Sequence, residues 1–490
     1  MDRKISRREF GKRLAKVASG AVLLALQPSC TSTQRSLPTG QLLRNDLKGL
    51  SGTLLFDDAA RQAAADDFGH IVHHLPTAVL KPGSIQDIVK LVQFANRHGV
   101  KVSMRGQGHA MFGQAQVDAG VVIDSSNLNS VRIINSGGQR AVEAGPGALW
   151  GPVVNAAYVN KLTPPVNVDG AYLSVGGTIS TGGFGGTSAR EGFQVDHVLE
   201  LQVVTGDGEL VTCSDERNSD LFNAALAGMG QCGIIVNVVL ALVPAPTHVL
   251  FFILNYVDLK TAAADLAFLV NDGRFNHLEG RTAARPGGGF TYQLETGAFY
   301  DAPNAPGQSH ILPGLRFTSQ TAREMTYLEY CRPQNSCNVN VCTPLPHPWL
   351  YLCLPASRFV EYAEKVFTTP AEVAFASPRF SAWRRNSIKR PLVRMPNEDL
   401  VFKFQLSRQP PASADISSLI TMNRTLYERA RDMEGTRLTT TAIPFSQADW
   451  IQHYGPVWES FRAAKNRFDP NNVLTPGQGM FPSSVGERSV

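Results

Sequence analysis

Apolar residues recur at helical spacing from Ile85 to Ala95, inside a stretch that Ser84 opens as an N-cap and Gly99 closes. Pro76 to Gly83 reads as a strand ending in a turn, and Val100 to Met104 and Gly120 to Asp124 read as two more strands. Strand, helix and strand therefore deliver the loop Arg105-Gly106-Gln107-Gly108-His109 at a strand end. Further on, Val142 to Gly147 is a strand and turn, and Leu149 to Asn160 is helix-like. Residues 192–211 form a hairpin turning at Gly206-Asp207-Gly208. The strand over 234–244 ends at Pro244-Ala-Pro246. From 247 to 445, strands (Val249–Val257, Leu350–Leu354, Leu400–Leu406) alternate with helices (Asp258–Asn271, Ala356–Val366, Ala414–Met433), which predicts an antiparallel sheet covered by helices. The class is α+β.

A chain of 490 residues exceeds one ordinary core, so two intimately packed domains are expected, 39–246 and 247–445, followed by a C-terminal segment over 446–490. A net charge of +5 without a basic, aromatic-interleaved run argues against nucleic acid. The seven cysteines form no CxxC pair and no zinc spacing, so no metal is expected and structural burial is the reading. Residues 1–38 carry Ser6-Arg7-Arg8-Glu9-Phe10-Gly11-Lys12 ahead of a weakly apolar run from Leu14 to Leu26. This is similar to a bacterial twin-arginine signal, although Gly11 replaces the usual leucine. It implies export to the periplasm or beyond. The run is too short for a stable span, and Cys30 offers only a weak match to a lipid-anchor site.

Two glycine-rich stretches carry the candidate chemistry. Gly106 and Gly108 let backbone N–H groups approach a ligand, and Arg105 brings a charge suited to a diphosphate. On the residues alone, the loop serves equally as a glycine turn with a surface histidine. The second stretch runs from Tyr172 to Gly186 with six glycines, at 176, 177, 182, 183, 185 and 186. Glycine has no side chain to bury, so a loop around a phosphate-bearing ligand explains the block better than a core element. Val175, Ile179 and Phe184 anchor it.

Arg105 to His109, with Val-Val-Ile-Asp124 downstream, resembles the flavin loop of the FAD-linked oxidase superfamily of vanillyl-alcohol-oxidase or PCMH type. That resemblance implies a two-domain PCMH-type fold with a substrate domain, its FAD domain completed by the C-terminal segment. It also implies FAD carried covalently by His109. Ala110 stands where cytokinin dehydrogenases usually have serine, and Pro165 to Ser174 lacks the cysteine of a second flavin link. Asp169-Gly-Ala-Tyr-Leu-Ser-Val-Gly-Gly-Thr178, Leu278-Glu-Gly280, His347-Pro-Trp-Leu350, Trp450-Ile-Gln-His-Tyr-Gly455 and Asp469 to Gln478 narrow the resemblance to cytokinin dehydrogenases.

By that resemblance the cofactor residues are Arg105 to His109, Gln114, Asp169, Ser174, Gly176, Gly177, Thr178, Ser180, Thr181, Gly182, Gly185, Gly186, Gly233, Ile234, Ile235, Tyr454 and Gln478. Asp169 would accept a hydrogen bond from the substrate amine, and Glu279 would be a second polar contact at the pocket mouth. The implied substrate is an N6-substituted adenine, cleaved to adenine and an aldehyde, with a quinone-like electron acceptor. An FAD-linked alcohol or sugar oxidase, and a secreted flavin-binding protein without turnover, are the alternatives. Trp383, His347 and His453 read as structural.

Overall fold

The computed structural model describes residues 38–331 and 344–481. The arginine pair, the apolar run that follows it and Cys30 lie outside the described residues, as do Cys337 and Cys342. Cys213, Cys232, Cys331 and Cys353 are free thiols.

The helix expected after Ser84 spans Ile85–His98 and buries Ile88, Leu91, Val92 and Ala95, while Gly99 closes it at φ 66° in the left-handed region. It connects parallel strands. Ala78–Lys81, Val121–Asp124 and Val102–Arg105 lie side by side in that order, with Thr53–Leu55 added antiparallel at the edge. Because the crossover returns the chain to the same sheet, Val102–Arg105 ends at the loop that begins with Gly106. A five-stranded antiparallel sheet follows, in the order Val131–Ser136, Gln139–Ala144, Ile234–Ala241, Val198–Val204, Leu210–Cys213. The predicted hairpin around Gly206-Asp207-Gly208 is its last pair.

Residues 248–437 build an eight-stranded sheet in which every pairing is antiparallel. Its strands obey the two-residue period strictly. In Leu400–Arg408, Phe402 and Phe404 face the helix Ala356–Phe367, whose Phe359 stacks on Phe402 at 4.3 Å. Gln405 and Ser407 point the other way, into a cavity, and so do Ser377 and Arg379 of the neighbouring strand Ala376–Arg384. Through its central strands the sheet thus has one apolar face and one polar face, both covered by protein, while the edge strand Ser319–Thr326 is largely exposed. Trp383 is buried at 1 % exposure, as its structural reading requires.

The C-terminal stretch returns to the first sheet. Val102 donates its N–H to Val473 O (2.8 Å) and accepts at its carbonyl from Thr475 N (2.8 Å). The buried Lys465 fixes this turn, donating to Asp469 Oδ2 (2.6 Å) and Gln231 O (2.8 Å). Asp469 in turn accepts from Val473 N and Leu474 N, both at 2.9 Å. Removing one partner leaves a buried charge unpaired, so Lys465→Ala should cost about 3–5 kcal/mol in urea unfolding. An unchanged midpoint would show that the pair does not hold the C-terminal turn.

Candidate functional site

A cavity of about 1250 Å³ lies between the two glycine-rich stretches and the polar face of the eight-stranded sheet. That is larger than an ordinary single-ligand pocket. Gly106, Gln107, Gly108, His109 and Gln114 line it from the first loop, and Gly108 takes φ 66°. Asp169 lines it just ahead of the second stretch, which supplies Ser174, Gly176, Gly177, Thr178, Ser180, Thr181 and Gly186, and Gly233, Ile234 and Ile235 line it at the start of the strand Ile234–Ala241. The short helix Val175–Ile179 organises the middle of this wall. Its hydroxyls are already committed there: Thr178 Oγ1 accepts from Trp150 Nε1 (2.9 Å), and Ser180 Oγ donates to Gly176 O (2.7 Å).

Five residues expected at the cofactor do not line the cavity: Arg105, Gly182, Gly185, Tyr454 and Gln478. The Arg105 guanidinium turns back to donate to Ala63 O (2.8 Å) and Asp66 O (2.6 Å), so its charge holds the end of the short helix Asp58–Ala64 and does not face a diphosphate. Burial lowers its pKa, which neighbouring Asp67 and Asp124 oppose. Gly185 is needed for a close backbone approach, since a Cβ there would stand 1.9 Å from Asn167 O. Gly182 packs instead beside Phe193, which a Cβ would meet at 3.2 Å. Tyr454 is fully buried and stacks on Trp450, which donates its indole N–H to Gln478 O (3.0 Å). These two make a support behind the cavity.

His109 sits in an aromatic column. Its ring stacks on Phe68 at 4.0 Å, and Phe68 stacks on His347 at 4.1 Å. Nε2 of His109 lies 3.0 Å from the Tyr172 hydroxyl. Burial, with His347 adding to it, pushes the His109 pKa down to about 4, so the imidazole is neutral at physiological pH. His347, read from sequence as merely structural, both closes this column and lines the cavity.

Opposite the glycine loops stands a charged cluster. Glu279, expected at the mouth, is buried at 4 % exposure on the strand His277–Ala284. Its carboxylate is 3.5 Å from Lys403 Nζ, 3.5 Å from Arg281 Nη2 and 3.9 Å from Arg379 Nη1. Glu295, directly across the strand pair from Glu279, receives Arg281 Nε at 2.7 Å. Burial pushes both glutamates up. For Glu279, the Lys403, Arg379 and Arg281 charges outweigh burial and hold the carboxyl well below the usual range. For Glu295, burial wins over Arg281, with Glu279 adding to it, and the pKa rises to about 7.

Asp169 is open to the cavity, yet protein surrounds it on the other sides. Desolvation, and then the Glu279 charge, push it up to about 6. His277, Glu279 and Glu295 bring donor atoms within 4.8 Å of one another. Three cations lie against these same carboxylates, so an added metal ion would meet uncompensated positive charge.

Arg281, Glu295, Arg379 and Lys403 were not singled out by sequence reasoning. Their only signal was polar alternation on strands, which reads as a solvent-facing side. Tyr172 and Trp349 lay inside recognisable motifs, and both line the cavity.

Comparison with known proteins places this geometry. The family model for an FAD binding domain matches residues 76–214, and that described as cytokinin dehydrogenase 1, FAD and cytokinin binding, matches 281–481. An uncharacterized oxidoreductase of the fasciation locus of Rhodococcoides fascians is 32% identical over 439 residues, covering 88% of this chain and 99% of its own. Cytokinin dehydrogenase 4 of Oryza sativa subsp. japonica is 32% identical over 485 residues, covering 89% and 91%. The chain is a cytokinin dehydrogenase-like member of the FAD-linked oxidase superfamily. It is an FAD-dependent oxidoreductase. Two solved structures share its fold at low identity. They are 6-hydroxy-D-nicotine oxidase from Arthrobacter nicotinovorans (TM-score 0.69, 20% identity, 88% of this chain and 97% of that one) and a xylooligosaccharide oxidase from Myceliophthora thermophila C1 (0.72, 19%, 90% and 99%).

The lining residues of this cytokinin dehydrogenase-like protein fit FAD. Gln114 accepts from Phe112 N (2.8 Å) through Oε1, and among the described residues neither its buried Nε2 nor the buried Ser125 Oγ has a partner. Both face the cavity. A Cβ on Gly106 would lie 1.9 Å from Ser174 Oγ, so the backbone forms the wall where a side chain would obstruct it.

The charge cluster makes a testable asymmetry. Glu279→Gln should cost about 3 kcal/mol at pH 7, because it strands the cations around it. Glu295→Gln should cost much less, its carboxyl being near half protonation there. The Glu279 contribution is present above its unfolded pKa near 4.5 and is lost as pH falls below it, toward the depressed folded value. Thermal melts of both variants between pH 3 and 7 check this; equal losses at pH 7 would refute it.

Proposed function

We propose that this protein oxidatively cleaves the N6 side chain of cytokinin-type adenines, giving adenine and an aldehyde. Asp169 carries the reading. It is an exposed carboxylate of the cavity wall, near enough to Glu279 to feel its charge, and its raised pKa suits a group that exchanges a proton near neutral pH. FAD, when bound, supplies the two-electron acceptor. Asp169 accepts the hydrogen bond of the substrate N–H, which fixes the C–N bond in place and draws off positive charge as the carbon is oxidised. Water then splits the resulting imine. Glu279, saturated by three cations, keeps Asp169 from being neutralised by them directly.

Gly106, Gly108, Gly176, Gly177 and Ser174 would hold the cofactor, with Gln114 Nε2 and Ser125 Oγ as donors lacking other partners. The neutral His109 ring, oriented by Tyr172 and Phe68, is the residue that would carry FAD covalently. A quinone-like molecule takes the electrons, and the twin-arginine segment exports the folded, loaded enzyme.

Anaerobic addition of isopentenyladenine should bleach the flavin, and Asp169→Asn should slow bleaching by about 100-fold or more. An unbleached flavin in the unaltered protein sinks the substrate assignment, and sugars and alcohols become the candidates. Activity should fall as pH drops below about 6, since Asp169 must be ionised to accept the proton. Glu279→Gln removes the adjacent negative charge, so the acid limb should move to lower pH. Wild-type flavin should remain with acid-precipitated protein and be released from His109→Ala. Release from the unaltered protein would end the covalent assignment.

A further inference from the structure

The strand register divides the cavity floor in two. Arg323, Phe251, Gly297 and His277 lie in one row across four adjacent strands of the eight-stranded sheet. Arg281, Arg379, Gln405 and Tyr351 form a second row, which leaves the strand His277–Ala284 in the opposite direction. Glu279 stands between them on that strand, two residues from either row. Three inter-strand gaps carry each row roughly 14 Å from this centre. One small substrate held at Asp169 and Glu279 cannot cover both.

The two rows differ in chemistry. The second is charged and amide-lined, whereas the first is aromatic. Gly297 has no side chain, so the Phe251 and His277 rings close to 5.3 Å over it, and the Tyr330 ring stands 5.6 Å from His277. Phe299 and Tyr327 hold the Tyr330 ring from behind, at 5.1 and 5.7 Å. The row ends on the largely exposed edge strand Ser319–Thr326, so this lobe opens to solvent there. Its inner end meets the second glycine stretch: Leu278 N donates to Gly186 O (2.9 Å), and a Cβ on Gly186 would stand 1.9 Å from His277 Nδ1.

The lobe also presents a hydrogen-bond donor. His277 Nδ1 lies 3.0 Å from the Tyr330 hydroxyl, while its buried Nε2 has no partner among the described residues. Burial lowers the His277 pKa to about 4, so the ring is neutral and carries one N–H. A buried N–H is rarely left unpaired, which puts the proton on Nδ1. Tyr330 oxygen therefore accepts from His277, and its own O–H has no acceptor among the described residues.

Resting on the quinone-like acceptor in the reading above, we propose that this lobe is a separate site for the electron acceptor, a flat quinone ring that packs on Phe251 and Tyr330 and receives the Tyr330 O–H at one carbonyl. The quinone takes two electrons and one proton from the reduced flavin, and a second proton from water at the open rim, and leaves as the hydroquinone. Acceptor and adenine occupy the cavity together.

Duroquinone is the probe, and photoreduction without any adenine isolates its step from the substrate assignment. Tyr330→Phe should slow reoxidation of the photoreduced flavin by about ten-fold, the worth of one hydrogen bond. Phe251→Leu should raise the half-saturating duroquinone concentration by about ten-fold through the lost aromatic contact. Both variants should be bleached by isopentenyladenine at the unaltered rate and keep the unaltered Tm. In equilibrium dialysis of the oxidised, unaltered protein, saturating adenine should leave duroquinone affinity unchanged. Displacement of duroquinone by adenine, unaltered reoxidation in both variants, or equal slowing of bleaching and reoxidation overturns the separate site. Failure of isopentenyladenine to bleach the flavin overturns the substrate reading alone, because the photoreduced protein still tests the lobe. Failure of duroquinone to reoxidise the unaltered protein overturns the quinone reading and the lobe with it.

Discussion

A strand can send its side chains to only two sides, and in the central strands of the eight-stranded sheet both sides are inside the protein. One side is therefore filled with aromatic and aliphatic groups against helices, and the other has to carry polar groups that satisfy each other without bulk water. The register makes this harder. Glu279 faces Glu295 directly, and Arg281 faces Arg379 directly, so like charges are paired across the strands. The arrangement holds because attraction runs along the diagonals: Arg281 to Glu295 at 2.7 Å, and Arg379 to Glu279 at 3.9 Å, with Lys403 added at 3.5 Å. A one-residue slip of any of these strands would carry the charges into the apolar layer.

This alternation explains what could be read from the chain and what could not. The helix Ile85–His98 and the glycine stretches were legible because their signals are local. A 3.6-residue period and a glycine that cannot fill a core mean the same thing in any context. Lys403, Gln405 and Arg379 send a local signal that is the opposite of their situation. Polar residues at alternate strand positions look like a wet face, and only the pairing of distant strands turns that face inward. Trp349 and Tyr172 were visible as motif members, but their place on the cavity wall depends on contacts made across the fold.

Arg105 shows the same limit from the other direction. A cation beside a glycine loop suits an anionic ligand by composition. In the folded chain the guanidinium is surrounded by protein, and the carbonyls of Ala63 and Asp66 lie closer to it than the cavity does. Gly108 leaves room for that turn-back: a Cβ on it would stand 2.3 Å from Arg105 Nη2. The glycine that was expected to open the loop toward a ligand also opens it toward its own arginine. Tyr454 and Gln478 follow the same rule, joined through Trp450 in a buried stack that supports the wall from behind.

The two carboxylates nearest the proposed chemistry differ in environment more than in position. Glu279 is buried and Asp169 is open to the cavity, yet desolvation raises both. Glu279 has the cations within reach of its oxygens and is held ionised, so it has little capacity left for a substrate proton. Asp169 feels those cations only at longer range, feels Glu279 as a like charge, and accepts no hydrogen bond from any described residue. The pair is thereby split into a fixed anion and a carboxylate able to change its protonation state near neutral pH. The split depends on geometry that no single residue carries. Moving Lys403 by two positions along its strand would leave Glu279 with Arg281 and Arg379 alone, and the gap between the two pKa values, on which the distinction between the supporting carboxylate and the reactive one rests, would narrow.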